Sequence, residues 1–490
     1  MQNAAASDIT YHQVGLVAGP LVCALMLLTE SYQASMDIVA WRTAGIALWM
    51  AIWWATEAVP VAATALLPIA TFSLLGVASV NAAVAPYAHP TIFLFLGAFM
   101  LAAAVEKWHL HKRIALFILA RTGTDGRRLI GGLMATSAFL SMWISNTSAT
   151  MMLLPIALSV VSVIRDNVDE SVTPGELRDF QTAMLLGLAY AATIGGVATL
   201  IGTPPNALLA AFLEKNYQVS ISFFDWMLLG VPIALVMLPI TWGLLTRVIY
   251  KVTIPASQAT HQHLRELQAE LGPMSQAEQR IALLFAAVIA GWILRLPVSQ
   301  WLGIEGLSDT GIVMVAAIAL FIVPNQRGST QKLLAWEDTS QLPWGVLVLF
   351  GGGLSLAATI SSSGLALWLG ENLSALSAFG SLVLIIAAVV LVIFLTELTS
   401  NLATTATFLP VVAAIAIQAG ISPLLLCIPI TLAASFAFML PVATPPNAVV
   451  FASGMVSIPQ MLRAGILLNI IGALLLSLVG YFWAPQLFGG

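Results

Sequence analysis

Two short runs, Ser145-Asn146-Thr147 and Ser400-Asn401-Leu402, set a hydroxyl beside an amide in the middle of long apolar stretches. A proline follows each serine ten residues on, Pro155 and Pro410, and a hydroxyl precedes each by four, Ser141 and Thr396. Downstream, Thr203-Pro204-Pro205-Asn206-Ala207 recurs as Thr444-Pro445-Pro446-Asn447-Ala448. These residue types suit ion coordination. A Pro-Pro pair removes two backbone donors and stops a helix. Carbonyls beside the break lose their partners, and in an apolar interior a cation can replace them. A hard cation such as Na⁺ prefers the oxygens that Ser, Thr, Asn and free carbonyls offer. The N-termini of interrupted helices carry unpaired N–H groups and partial positive charge, which suit a carboxylate or a sulfate. Segments 141–150, 195–210, 396–410 and 436–450 contain no Lys, Arg or His. A dianion held there needs its countercharge from bound cations and helix ends.

The elements that position these motifs are membrane spans. Of the 490 residues, 59% are hydrophobic and 8% charged, against roughly 25% charged in a soluble domain. An apolar run needs about 20 residues to cross the hydrocarbon core. Candidate spans lie near 14–29, 40–57, 60–79, 90–106, 180–213, 226–249, 279–297, 309–323, 342–368, 422–453 and 462–484. An amphipathic basic stretch runs from Lys107 to Arg128, a charged loop from Arg165 to Asp179, and polar loops follow at 250–278 and after 323. Segments 129–164 and 382–417 are too long for one span and have polar centres, so each reads as two short spans or as a hairpin. Charge bias selects the hairpins, because Lys and Arg gather in cytoplasmic loops. With 129–164 entering from inside and 382–417 from outside, only Arg42, Lys215 and Arg295 of the eighteen Lys and Arg fall outside. The N-terminus is then inside and the C-terminus outside. Residues 1–13 lack the basic start and cleavage site of a signal peptide, so the first span is expected to stay in place.

The two halves therefore form an inverted repeat. The Asn146–Asn206 spacing exceeds the Asn401–Asn447 spacing by fourteen residues, a difference that the charged loop at 165–179, absent from the second half, accounts for. Pro-Pro alone can be a kink, and Ser, Thr and Asn can merely join helices. Interrupted helices at matching places in both halves point instead to a midplane site. Three acids lie in or near apolar runs, Glu57, Glu106 and Glu397. The first two sit near span ends. Glu397 precedes Ser400 by three residues and either braces the tip or carries a proton. His109/His111 and His261/His263 read as solvated flanks rather than a metal site. Cys23 and Cys427 lie inside apolar runs, away from any disulfide framework. No basic patch suggests nucleic acid. A membrane-embedded enzyme would need a convergent acid, base or nucleophile, and the motif segments hold only hydroxyls and amides. A channel remains open as a reading, since channels too can be built from broken helices.

At Ser145-Asn146-Thr147, both Thr-Pro-Pro-Asn loops and Thr396-Glu397-Leu398-Thr399-Ser400-Asn401, the chain resembles the divalent anion:sodium symporter family over nearly its whole length. The resemblance implies an all-α membrane protein of eleven spans and two re-entrant hairpins, a homodimer, and an elevator mechanism. A transport unit of about 129–250 and 381–490 would slide against a scaffold of 1–128 and 279–380, with 251–278 as a cytoplasmic loop. It implies one sodium at Ser141, Ser145, Asn146 and the Gly202 carbonyl, and a second at Thr396, Thr399, Asn401 and the Ala443 carbonyl. The anion would lie between the tips, at Ser145, Asn146, Thr147, Thr203, Ser400, Asn401, Thr444 and Pro445. Succinate, malate, fumarate, citrate and sulfate are family substrates, and the expected setting is the bacterial inner membrane. Exchangers, sodium/proton antiporters and arsenite carriers share the general plan. One departure stands out: Leu402 occupies a place where dicarboxylate carriers of the family often have threonine, so one hydrogen-bond donor is missing.

Overall fold

The computed structural model describes residues 2–33, 35–167, 172–304, 306–373 and 380–488. Its described residues are helical apart from turns and one isolated bridge, Pro324 with Lys332. Among the described residues ten helices are long and apolar enough to cross a membrane, and four shorter apolar helices lie among them. Together with the sequence repeat they give a polytopic all-α membrane protein.

Each half contributes five consecutive helices around its motifs. The first half supplies α1 (Gly126–Ser141), α2 (Asn146–Asn167), α3 (Pro174–Val197), α4 (Pro204–Tyr217) and α5 (Phe223–Gly243). The second supplies α6 (Ser381–Thr396), α7 (Asn401–Gln418), α8 (Leu424–Ala434), α9 (Pro445–Ala452) and α10 (Ile458–Leu478). The likeness extends beyond the motifs, since α5 and α10 each run on into a π-helical turn, Leu244–Ile249 and Val479–Trp483. Local chemistry explains the starts. Asp125 caps α1 by accepting the Arg128 N–H at 3.1 Å, and Thr173 with Glu176 closes a capping box at α3. Side-chain oxygens there satisfy amides that a helix start leaves unpaired.

The arms α1 and α6 each have 16 residues. At 1.5 Å rise they reach roughly 24 Å, short of a full crossing. Both then turn through four residues, 142–145 and 397–400, into the next helix. For the first hairpin the return face is fixed by contacts. Gly126 N–H donates to the Ile254 carbonyl at 3.0 Å, and Ser159, late in α2, meets His263 at 2.5 Å. Both ends thus sit beside the segment that follows α5. The same face carries the Lys107–Asp338 and Arg113–Glu278 ion pairs. Arg295–Asp309 lies at the opposite end, where Asp309 also accepts the Phe223 N–H at 2.9 Å. The positive-inside reading assigns the first of these ends to the cytoplasm and the second to the outside.

The halves interlock. Helix α3 packs against α1, α2, α5 and α9, and α4 packs against α7 and α8. Helix Trp344–Ser362 packs on α4 and α7 from outside this group.

Two expectations are corrected. The span expected at 60–79 is interrupted into Val61–Thr64 and Leu67–Thr71, because Pro68 lacks the N–H that would continue the first piece. At the break the Ala65 carbonyl accepts the Tyr87 hydroxyl. The 250–278 loop contains a helix, Gln258–Glu270, capped by Ser257, with Thr260 and Leu264 buried on one face. Of the charged loop at 165–179, residues 168–171 lie outside the described residues.

Candidate functional site

At the first tip, α2 begins on Asn146 itself. The fully buried Ser141 hydroxyl donates to Asn146 Oδ1, and Thr150 Oγ1 donates to the Asn146 carbonyl at 2.8 Å. Ser145 and Ser148 bond through their hydroxyls at 2.9 Å, and Ser145 Oγ also accepts the Ser148 N–H. Thr147 is half-buried on the first turn. Against this tip lies the break between α3 and α4, residues 198–203. Gly196 fits only because it has no side chain. A Cβ there would stand 2.9 Å from Asn146 Nδ2, 3.0 Å from the Gly202 carbonyl, and closer still to Asn146 Oδ1. The Asn146 amide and the Gly202 carbonyl therefore converge on one point. The break is held by Asn206, whose Nδ2 donates to the carbonyls of Thr199 at 2.8 Å and Val197 at 3.3 Å. Thr199 Oγ1 ties it to the tip by donating to the Met142 carbonyl at 2.5 Å.

The second tip repeats this plan. Thr396 Oγ1 lies 2.9 Å from Asn401 Oδ1 and 2.8 Å from the Ala434 carbonyl. Thr405 Oγ1 donates to the Asn401 carbonyl at 2.8 Å, as Thr150 does at the first tip. Asn447 Nδ2 donates to the Leu440 carbonyl at 3.0 Å, and Thr444 Oγ1 accepts the Asn447 N–H at 3.3 Å. Ser400 precedes α7, Pro445 opens α9, and Ala443 is buried beside it. Thr399 turns its hydroxyl to the Leu395 carbonyl and to Thr404, at 3.0 and 2.6 Å. Leu402 is buried. In both halves the stitching asparagine leaves one buried oxygen, Asn206 Oδ1 and Asn447 Oδ1, without a hydrogen-bond partner among the described residues. Buried acceptors of this kind ordinarily find one.

The halves differ where Glu397 sits. The second break spans 435–444, four residues longer than the first, because α8 ends one turn earlier than α3. That unwinding releases the N–H groups of Phe438, Met439 and Leu440. Glu397 accepts all three, at 2.8, 3.0 and 3.0 Å, and also takes Asn469 Nδ2 at 2.7 Å. Four donors and no acceptor around a buried carboxyl is the arrangement of a structural carboxylate. The first half keeps its helix to Val197 and has Met142 at the equivalent place.

A cavity of about 560 Å³ leads to the first tip. It runs past Glu106 and Lys107, at the end of the Pro90–Lys107 helix, to Ser145 and Ser148. Asp338 lines it and pairs with Lys107 at 2.5 Å. Burial works against the Asp338 charge, yet Lys107 and the Ala335 N–H hold its carboxyl below the usual range. Glu57 ends the Ile38–Thr56 helix in a left-handed turn, φ 47°.

A model of the family described as "Sodium:sulfate symporter transmembrane region" matches residues 12–489. The chain belongs to this family. Among curated relatives, the sodium-dependent dicarboxylate transporter SdcS of Staphylococcus saprophyticus is 39% identical over 478 residues, covering 97% of this chain and 92% of that protein. The SdcS of Staphylococcus aureus strain USA300 is 39% identical over 481 residues, with the same coverage. Among solved structures, the fold is similar to MtrF of Neisseria gonorrhoeae (TM-score 0.57, 13% identity, 86% of this chain and 84% of that one). It is also similar to the YdaH transporter of Alcanivorax borkumensis (TM-score 0.54, 16% identity, 90% and 99%).

Sequence reasoning missed several residues at this site. Thr150 and Thr405 each follow their tip asparagine by four residues, a repeat that spacing alone could have exposed. Gly196 and Asn469 carried no such signal, because neither recurs in the other half.

Proposed function

We propose that this protein is a sodium-coupled symporter of small divalent anions in the plasma membrane, with C4-dicarboxylates such as succinate, malate or fumarate as its substrate class. The observation that carries the reading is the doubled tip. Two asparagines, each backed by a buried hydroxyl, sit beside two broken helices in repeated copies, with no basic side chain in any of the four motif segments. Such a site has oxygens for cations and helix N-termini for carboxylates, but no fixed positive charge. A dianion binds there only with its cations, which is coupling. The SdcS relatives support dicarboxylate over sulfate as the substrate class.

The first sodium would be held by Ser141, Ser145, Asn146 and the Gly202 carbonyl. The second would be held by Thr396, Asn401, the Ala443 carbonyl and Thr399. The hydroxyls of Ser141, Ser145, Thr396 and Thr399 already hydrogen-bond to neighbours, and a cation would take lone pairs left on their oxygens. The anion would lie between Asn146, Thr147 and Thr203 on one side and Asn401, Thr444 and Pro445 on the other, with Ser145 and Ser400 at its edge. The interlocking of α1–α10 supports a rigid transport unit, 129–250 with 381–490. The remainder, 1–128 with 279–380, would be a dimeric scaffold against which it slides, and the cavity at Ser145 would be the cytoplasmic exit.

Competition in proteoliposomes tests the substrate class. Unlabelled malate and fumarate should suppress sodium-driven uptake of labelled succinate at lower concentration than sulfate does. Stronger suppression by sulfate or citrate would move the assignment to another anion of the family.

A further inference from the structure

The two histidine pairs have no part in the transport site, and one of them leads to a second cavity. His263 Nε2 meets Ser159 Oγ of α2, so helix Gln258–Glu270 is fastened to the first hairpin. It also packs against helix Leu110–Thr122. Between these two helices lies a cavity of about 360 Å³. One wall is Phe117, Ala120 and Arg121. The other is His261, Leu264, Arg265 and Gln268. The spacings i, i+3, i+4 and i, i+3, i+4, i+7 put each set on a single helical face. The cavity is thus built by two faces turned toward each other.

Its chemistry is one-sided. Arg121 and Arg265 both line it, and among the described residues no carboxylate does. Among the described residues neither arginine has a carboxylate at ion-pair distance. Arg121 is held over the Phe117 ring, 3.4 Å from its centroid, with Nη1 on the Phe117 carbonyl at 2.9 Å, so one edge of its fork stays available. Glu266, the nearest acid along the second helix, is engaged by Gln262. Phe117 is 52% exposed and Leu264 is buried, giving an apolar floor with an apolar lip. The cavity lies on the Lys- and Arg-rich face, where spans meet the cytoplasmic membrane surface.

We propose that this cavity binds a phosphate group, seated as the headgroup of an anionic phospholipid. Two guanidinium forks suit phosphate oxygens, and basic pockets on the cytoplasmic side of membrane proteins take such headgroups. Phe117 would lie along the acyl chains. The lipid would pin the Gln258–Glu270 helix, and through His263 the base of the first hairpin, to the bilayer surface.

Thermal melting of the whole protein in non-ionic detergent tests this, with titration of dihexanoyl phosphatidylglycerol, dihexanoyl phosphatidylcholine and inorganic phosphate below any micelle threshold. Phosphatidylglycerol should raise the melting temperature saturably, and phosphatidylcholine should not. Arg121→Gln with Arg265→Gln should weaken the apparent affinity by about tenfold or more while leaving the melting temperature without lipid unchanged. Arg165→Gln, on the same face outside the cavity, should keep the wild-type affinity. Equal protection by inorganic phosphate, lost in the same double variant, would uphold the site and make its occupant a soluble phosphate. Protection that survives the double variant, that Arg165→Gln abolishes equally, or that no phosphate compound gives would overturn the proposal.

Discussion

Replacing Gly196 with alanine adds one methyl group where the first tip and its broken helix converge. The new Cβ would stand 2.9 Å from Asn146 Nδ2 and 3.0 Å from the Gly202 carbonyl, whereas ordinary contacts run 3.4–4 Å. With Asn146 Oδ1 nearer still, the amide must retreat by about 1 Å, a displacement that can cost roughly 100-fold in a positioned site. Overpacking of this kind costs about 1–3 kcal/mol of stability, so the variant should still fold. Sodium-dependent succinate uptake in proteoliposomes should fall at least tenfold, with a raised half-saturating sodium concentration. Ala437, the matching residue of the second half, already carries a Cβ; Ala437→Gly should change sodium dependence little. A Gly196→Ala protein with wild-type uptake and sodium dependence would refute the convergence of Asn146 and Gly202 on a cation.

Glu397→Gln replaces an acceptor of four N–H groups with an amide whose NH₂ faces those donors. Stability should drop by about 1–3 kcal/mol in melting experiments, with transport lost. Unchanged melting with a shifted pH profile would instead mark a proton carrier. Leu402→Thr restores a donor beside Asn401 and should change the relative affinities for succinate, citrate and sulfate; unaltered ratios in competition assays would place Leu402 away from the anion. Gly353, on helix Trp344–Ser362, faces Ala406 of α7 and Leu208 of α4, and a Cβ there would meet Ala406 Cβ at 3.1 Å. Gly353→Leu should block uptake while sodium binding, followed by tryptophan fluorescence, persists. Loss of both together would mean that the helix belongs to the binding site and not to a sliding face.

The tips and broken helices were legible because polar residues inside apolar runs are costly and conspicuous, and because they recur. Ser141 and Thr396 were visible for the same reason, four residues ahead of each tip serine. What escaped was set by packing rather than pattern. The break in the third span rests on Pro68, which reads as an ordinary residue in a long apolar run until Tyr87 is found on the Ala65 carbonyl. The role of Glu397 depends on α8 ending one turn early, and helix propensity points the wrong way, since Gly195-Gly196-Val197 stays helical although it is a poorer helix former than Phe436-Ala437-Phe438, which does not. The Gln258–Glu270 helix was hidden in a polar loop because it buries only a narrow face, at Thr260 and Leu264.

The central claim is that cations bound at the two asparagine tips supply the charge that holds the anion. Uptake of labelled succinate into proteoliposomes under an inward sodium gradient, against an equal choline gradient, tests it most directly. The account predicts accumulation above equilibrium in sodium alone, abolished by Asn146→Ala and by Asn401→Ala individually. Equal uptake in choline, or accumulation that survives either substitution, would contradict it.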